Sequence, residues 1–173
     1  MTHVSMGIAA IFAAIAANAC AHPVVVDGRY RDAHAAYSVG APGQGWRAVE
    51  LPPANGAWYN DALQASLLVN SHCEGVADAP LESLTNDLLM GTTERVFVTQ
   101  ERLPWSKREA LESTVHVKLD GVARTLRTFV LKKDRCVYDI VLDVPGDTLD
   151  AALAGYVRVR DAFDVGARPD SGS

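Results

Sequence analysis

An α+β fold, an antiparallel β-sheet with two amphipathic helices packed on it, is predicted by three features of the 173-residue chain. Several runs alternate apolar and polar residues at period two, the signature of half-buried strands. Two runs carry apolar stripes at helical spacing. The strands also follow one another through short turn signals, so hairpins are expected in place of parallel crossovers. The chain is 49% hydrophobic and 21% charged, with a formal net charge of −5, and its length suits one domain with a substantial core. That mild acidity argues against nucleic acid, whose phosphates call for a concentrated basic face. The densest basic stretch, Lys132-Lys133-Asp134-Arg135, is interrupted by an acid and reads as a solvated strand connection.

The chain opens on a segment apart from this body. Residues 1–19 contain no Lys, Arg, Asp or Glu, and residues 8–17 form one continuous apolar run. A short apolar stretch ending in small residues has the form of a secretory signal peptide and is too short for comfortable membrane spanning. Ala17 and Ala19 meet the shallow subsites of a signal peptidase, and Cys20 follows directly. This arrangement resembles the lipobox of bacterial lipoproteins, which implies a leader over 1–19 and lipidation of Cys20. Simple secretion and an ordinary N-terminal helix are the alternatives. Residues 20–36 mix Asp, Gly, Arg and His without periodicity and read as a flexible tether, and residues 166–173 as a disordered tail.

The body is expected over 37–165. Residues 37–39 and 46–51 suggest short strands separated by the Gly40-Ala41-Pro42-Gly43-Gln44-Gly45 turn signal. Pro52-Pro53-Ala54-Asn55-Gly56 breaks the chain before residues 57–59. Residues 65–73 alternate, with Ala65, Leu67, Val69, Ser71 and Cys73 on one face. A helix is expected over 80–90: Asp78 as cap, Pro80 in the first turn, Leu81, Leu84 and Leu88 as the stripe, Gly91 as the stop. Residues 95–99 read as strand and Leu103-Pro104-Trp105 as loop. Residues 111–119 and 122–131 flank Asp120-Gly121, whose tolerance of positive φ suits a type I′ hairpin. Residues 136–144 alternate again, with Cys136, Tyr138, Ile140, Leu142 and Val144 in phase. Asp147 then caps a last helix with Leu149, Leu153, Tyr156, Val157 and Phe163 facing inward.

The opening Trp46-Arg47-Ala48-Val49-Glu50-Leu51, the small helix after a core strand, the long meander and the closing amphipathic helix together resemble the PsbP-like fold. That fold serves photosynthetic oxygen-evolution subunits and various bacterial lipoproteins. The resemblance implies a binding or assembly factor and transfers no catalytic residues.

Three cysteines are present, Cys20, Cys73 and Cys136. With Cys20 acylated, two remain in an oxidising compartment. Cys73 ends its strand and Cys136 begins its own, both in phase with core residues. Antiparallel neighbours would bring them together as a disulfide; two separate buried thiols are the alternative. Neither position suits a catalytic thiolate, because a core-facing thiol is protonated and shielded.

His72-Cys73-Glu74 is the strongest candidate for chemistry, but adjacent strand residues face opposite sides, so His72 and Cys73 cannot readily share a metal or a proton. No metal is expected, and no cofactor. His116, between Val115 and Val117, reads as a hydrogen-bonded structural imidazole; Asp139 and Asp143 read as solvent-side acids. No GxSxG, P-loop or GxGxxG appears in a fitting context. Trp46, Trp58, Tyr59 and Trp105 fall at strand edges or in loops and are the candidates for a ligand or partner surface. The expected function is a non-catalytic, membrane-anchored lipoprotein of the cell envelope, facing the periplasm or else secreted, that binds an envelope protein partner. A hydrophobic-ligand component of an envelope transport system is the first alternative, and a small hydrolase using His72 or His116 the second.

Overall fold

The computed structural model describes residues 24–75, 78–146 and 148–166. The expected leader, lipidation at Cys20, the first part of the tether, the Asp147 cap and residues 167–173 of the tail lie outside these residues.

A seven-stranded antiparallel sheet is built from β3 (Arg47–Ala48), β4 (Gly56–Asn60), β5 (Ala65–His72), β6 (Thr92–Trp105), β7 (Arg108–Leu119), β8 (Val122–Lys133) and β9 (Cys136–Pro145). Its spatial order is β3-β4-β5-β9-β8-β7-β6. The last four strands form the expected meander. Asp120 and Gly121 connect β7 to β8 with φ of 48° and 81°, the left-handed conformations a two-residue turn requires. A second, three-stranded sheet joins β1 (Arg29–Arg31), β2 (Ala36–Ser38) and β10 (Asp164–Val165), with β2 central.

The two helices cover opposite faces of the large sheet. Helix α2 (Leu149–Asp161) and the small sheet lie over Leu67, Val69, Phe129, Tyr138, Ile140 and Leu142, and close the main core. Helix α1 (Leu81–Leu88) lies on the other side, where Leu81, Leu84 and Leu88 meet Leu111, Val130 and Val137. Alternation along β9 makes this possible: Cys136 and Tyr138 point to the α2 side and Val137 to the α1 side. The α2 side is filled with stacked and edge-on rings from Tyr30, Tyr37, Phe129, Tyr138 and Phe163. Beneath α2, buried Glu112 accepts hydrogen bonds from the Tyr156 hydroxyl at 2.8 Å and from Arg160 at 2.8 Å, and pairs with Arg127. This network ties the helix to β7 and β8.

Several expectations are corrected. The stretch over 24–36 is not a tether: β1 lies in it, Tyr30 is 4% exposed and Ala35 1%, and Tyr30 stacks on Tyr37 at 4.9 Å. A three-residue strand is too short to show a period. At the other end of the body, Gly166, expected to begin the tail, bonds through its amide to the Ala36 carbonyl. Leu103-Pro104-Trp105 is not a loop but the end of β6. As β6 is an edge strand, proline withdraws no hydrogen bond that a neighbour needs. Two register shifts, between Thr93 and Val96 and between Phe97 and Thr99, further blunt that edge. Asp78 does not cap α1: Pro80 holds the N-cap position without a side-chain bond, and Asp78 pairs with Lys132. The α2 stripe is rotated, with Ala152, Tyr156 and Val159 fully buried and Leu149, Leu153 and Val157 only partly so.

Candidate functional site

The irregular end of the sheet begins where β4 stops short. Gly56 opposes Val69, so Asn70, Ser71 and His72 continue β5 with no strand on that edge. The Asn55 side chain takes the place of the missing strand. Its Oδ1 accepts from the Ser71 amide at 2.6 Å, the Ser71 hydroxyl at 2.9 Å and the Tyr37 hydroxyl at 3.2 Å. On the other edge β5 pairs with β9 in a register that sets His72 opposite Val137, so the next pair is Cys73 and Cys136. These form a disulfide, with Cα atoms 4.0 Å apart. The expected pairing of the two inner cysteines is therefore present.

A groove of about 520 Å³ opens beside this irregularity, lined by Tyr30, Asp32, Asn55, Asn70, His72 and Asp139 among others. Asp139 is the unexpected member. It was to face solvent but is 5% exposed, enclosed with Asn70, His72, Asn55 and the β1–β2 residues Tyr30 and Asp32 that line the same groove. Asn70 Nδ2 donates to its Oδ1 at 2.9 Å. Burial pushes its carboxyl up to about 6, against the opposing pull of the Asn70 bond and of nearby His72. Asp32 behaves in the opposite way. Burial raises it, but the Tyr30 hydroxyl at 2.6 Å and the His34 and Ala35 amides at 2.7 and 2.6 Å outweigh this and hold it below the usual carboxylate range.

His34, Cys73 and Glu74 form a shared rim with a second groove of about 950 Å³. There Arg102 bridges Glu82 at 2.7 Å and Glu109 at 3.0 Å, and Lys132 holds Asp78. Arg108, Lys133 and Arg135 line the same groove without a carboxylate partner among the described residues. The result is two adjoining clefts, one with acids and histidines and one rich in cations, built around a disulfide.

The aromatic residues expected to form a binding surface are dispersed. Trp46 packs so closely on α2 that a Cβ at Gly155 would stand 2.6 Å from its Nε1. Trp58 packs against the main core. Trp105 donates to the Phe163 carbonyl at 3.2 Å and stands edge-on to Phe129. Tyr59 lies under the Arg47 guanidinium. The rings plug seams; they do not line one cleft. His116 is exposed and bonds through Nδ1 to the Thr125 hydroxyl at 2.9 Å, the structural arrangement expected of it. Asp143 is corrected with Asp139: it is partly buried and paired with Arg124 at 2.7 Å. Among the described residues no group of three His, Cys, Asp or Glu side chains is placed to hold a metal ion. No described helix is long and apolar enough to cross a membrane.

Sequence reasoning missed Asn55, Asn70 and Asp139. A signal was available, since Asn70 and Asp139 sit within strands, where short polar side chains are disfavoured, and each lies three residues from a cysteine that ends or begins its strand.

This order of elements, a large antiparallel sheet with its closing helix and a small helix between strands, defines a PsbP-like α+β sandwich. Solved structures that share it include two from bacteria. The solution structure of the cyanobacterial PsbP (CyanoP) of Synechocystis sp. PCC 6803 is 13% identical, with a TM-score of 0.51 over 80% of this chain and 91% of that one. The crystal structure of LpqN, involved in cell envelope biogenesis of Mycobacterium tuberculosis, is 12% identical, with a TM-score of 0.52 over 78% and 86%. No family model and no curated protein sequence matches the chain.

Proposed function

We propose that this protein is an extracytoplasmic accessory domain, acylated at Cys20, that binds a polar segment of an envelope partner in the cleft around Asp139 and performs no reaction. The observation that carries the reading is the disulfide at the rim of that cleft. Such a bond persists in oxidising compartments and is rare in a reducing cytosol. The fold it shares with an envelope-biogenesis protein agrees with that placement. Partner binding is favoured over transport of a hydrophobic ligand because the space between sheet and α2 is occupied by Phe129, Tyr138, Tyr156 and Phe163, while the clefts open outward on polar groups.

The test is a photo-crosslinking residue at Glu74, on the cleft rim, in cells that make the protein natively. A discrete adduct from position 74, absent when the crosslinker stands at Val122 on the far hairpin, is expected. Adducts of the same size from both positions, or none from 74, would refute it. Intact-mass analysis of membrane-extracted protein reads acylation of Cys20 separately. Turnover of an ester or amide lost in both His72→Gln and Asp139→Asn would replace binding by hydrolysis.

A further inference from the structure

Lys107, Arg108, Lys133 and Arg135 gather at one end of the large sheet. They flank the β6–β7 and β8–β9 turns and line two grooves, with Arg108 and Lys133 common to both. Neighbouring Arg102 and Lys132 are neutralised by Glu82, Glu109 and Asp78. These four cations form no ion pair among the described residues; the Lys133 ammonium reaches only the Val165 carbonyl, at 3.0 Å. The acids left beside them are Asp134 on the same turn, Glu74, which meets His34 at 3.2 Å, and Asp164, which accepts from the Ser106 hydroxyl at 3.4 Å. Four cations free of ion pairs among the described residues therefore stand at this end of a chain whose net charge is −5.

The described chain also enters and leaves here. The Val25 amide bonds the Asn55 carbonyl at 2.7 Å, immediately before β4, and the Gly166 amide bonds the Ala36 carbonyl at 3.1 Å beside Lys133. Cys20 precedes Val24 by four residues, and four residues span at most about 14 Å. An acyl group on Cys20 would bring this end, and no other, within about a Debye length or two of the lipid surface.

We infer that the partner of these four cations is an anionic bilayer, which they meet directly, orienting the domain with its disulfide end towards the membrane. The inference rests on the proposed anchoring and supplies the orientation that anchoring alone leaves open. Each Lys or Arg near an anionic surface strengthens attachment about fivefold at ordinary ionic strength. The acidic cleft around Asp139 then opens next to the membrane, where it meets the membrane-proximal part of a partner.

The test uses the full chain carrying Cys20→Ser, so that no acyl group contributes, with vesicles of phosphatidylcholine alone or with about 30% phosphatidylglycerol, so that only the second carries a negative surface potential. Binding at least tenfold tighter to the anionic vesicles is expected, with the preference lost at high salt. Lys107→Glu/Arg108→Glu/Arg135→Glu abolishes the preference with an unchanged melting curve, whereas Lys118→Glu, at the far end, keeps it. Equal binding to both vesicles, a preference that survives the triple variant, or loss of preference in Lys118→Glu would overturn the inference. Displacement by inorganic phosphate at matched ionic strength would replace the bilayer by a discrete oxyanion pocket and also overturn it. Acylated protein that ignores phosphatidylglycerol defeats the orientation alone; unacylated native protein defeats the anchor.

Discussion

At one end of the seven-stranded sheet the chain turns by backbone geometry, and at the other side chains and a covalent bond close the gaps. The β7–β8 connection needs only Asp120 and Gly121 in left-handed conformations. The β4–β5 turn adds bonds from the Leu63 amide to Asn60 Oδ1 and from Arg124 to the Gln64 carbonyl, and the link from β9 to α2 adds bonds from the Thr148 hydroxyl to the Pro145 carbonyl and from the Thr125 hydroxyl to the Gly146 carbonyl. At the opposite end Asn55 substitutes for a strand, Asp32 organises the β1–β2 turn, a buried carboxylate leans on Asn70, and Cys73 is bonded to Cys136. Turns satisfied by backbone leave few polar groups in unusual surroundings. An end satisfied by side chains keeps such groups close together, and both clefts that flank the disulfide lie there.

The comparison breaks first at the disulfide. It closes a loop with a sequence separation of 63, so in the chain-entropy picture its removal costs about 4 kcal/mol. The double substitution Cys73→Ala/Cys136→Ala should lower the denaturation midpoint accordingly. Native-state hydrogen exchange should also rise at Asn70–Ser71 and Val137–Asp139 well before it rises at Leu119–Val122. Uniform loosening of both ends would show that the bond stabilises the whole sheet and not this end.

Acidity separates the two ends next. Asp139 holds its proton to about pH 6 when folded, against 3.8 for an ordinary aspartate. Between those values the native chain carries more protons than the unfolded one, so stability falls as pH rises through that window. The loss is complete above pH 6 and is on the order of 3 kcal/mol. Asp139→Asn keeps an oxygen for Asn70 Nδ2 and removes the buried charge. The variant should therefore be more stable than the parent at pH 7, with the advantage gone near pH 4. Denaturant titrations at several pH values check this, and a variant weaker than the parent at pH 7 would contradict it. Asp32, held low by its three hydrogen bonds, acts in the reverse sense, losing its contribution only as pH falls through the acid range.

How much of this was readable from residues follows from the distance over which each feature is determined. The Asp120-Gly121 hairpin, the period-two faces of β5 and β9 and the apolar stripe of α1 are local, and local chemistry decides them. The disulfide was accessible because strand phase and chain position fix where Cys73 and Cys136 fall once β5 and β9 are neighbours. The Asp139 cleft was not, because its burial depends on Tyr30, Asp32 and Asn55, far along the chain, closing round a sheet face that alternation alone assigns to solvent. The β1 strand was hidden by its length, and the tryptophans by partners far along the chain. Trp46 is the clearest case, since it fits only because residue 155, on α2, lacks a side chain. Gly155→Ala should cost about 1–3 kcal/mol through overpacking, despite alanine's better helix propensity. Trp46→Leu in the same chain should recover part of that cost; stabilisation by Gly155→Ala alone would show the indole free to move away.

The smallest effect belongs to the backbone-closed end. Gly121 has φ of 81° and nothing within 4 Å of where a Cβ would stand. The only penalty for Gly121→Ala is thus the left-handed conformation itself, about 1 kcal/mol, part of which is offset by the reduced freedom of the unfolded chain. No cleft group touches the turn, so the pH dependence conferred by Asp139 and the vesicle preference conferred by Lys107, Arg108 and Arg135 should both persist in this variant. Stability measured across pH for Gly121→Ala should give a curve displaced downward by a constant amount and parallel to the parent. A change in its slope would mean that the two ends are coupled through β7 and β8, and the division drawn between a backbone-closed end and a side-chain-closed end would then fail.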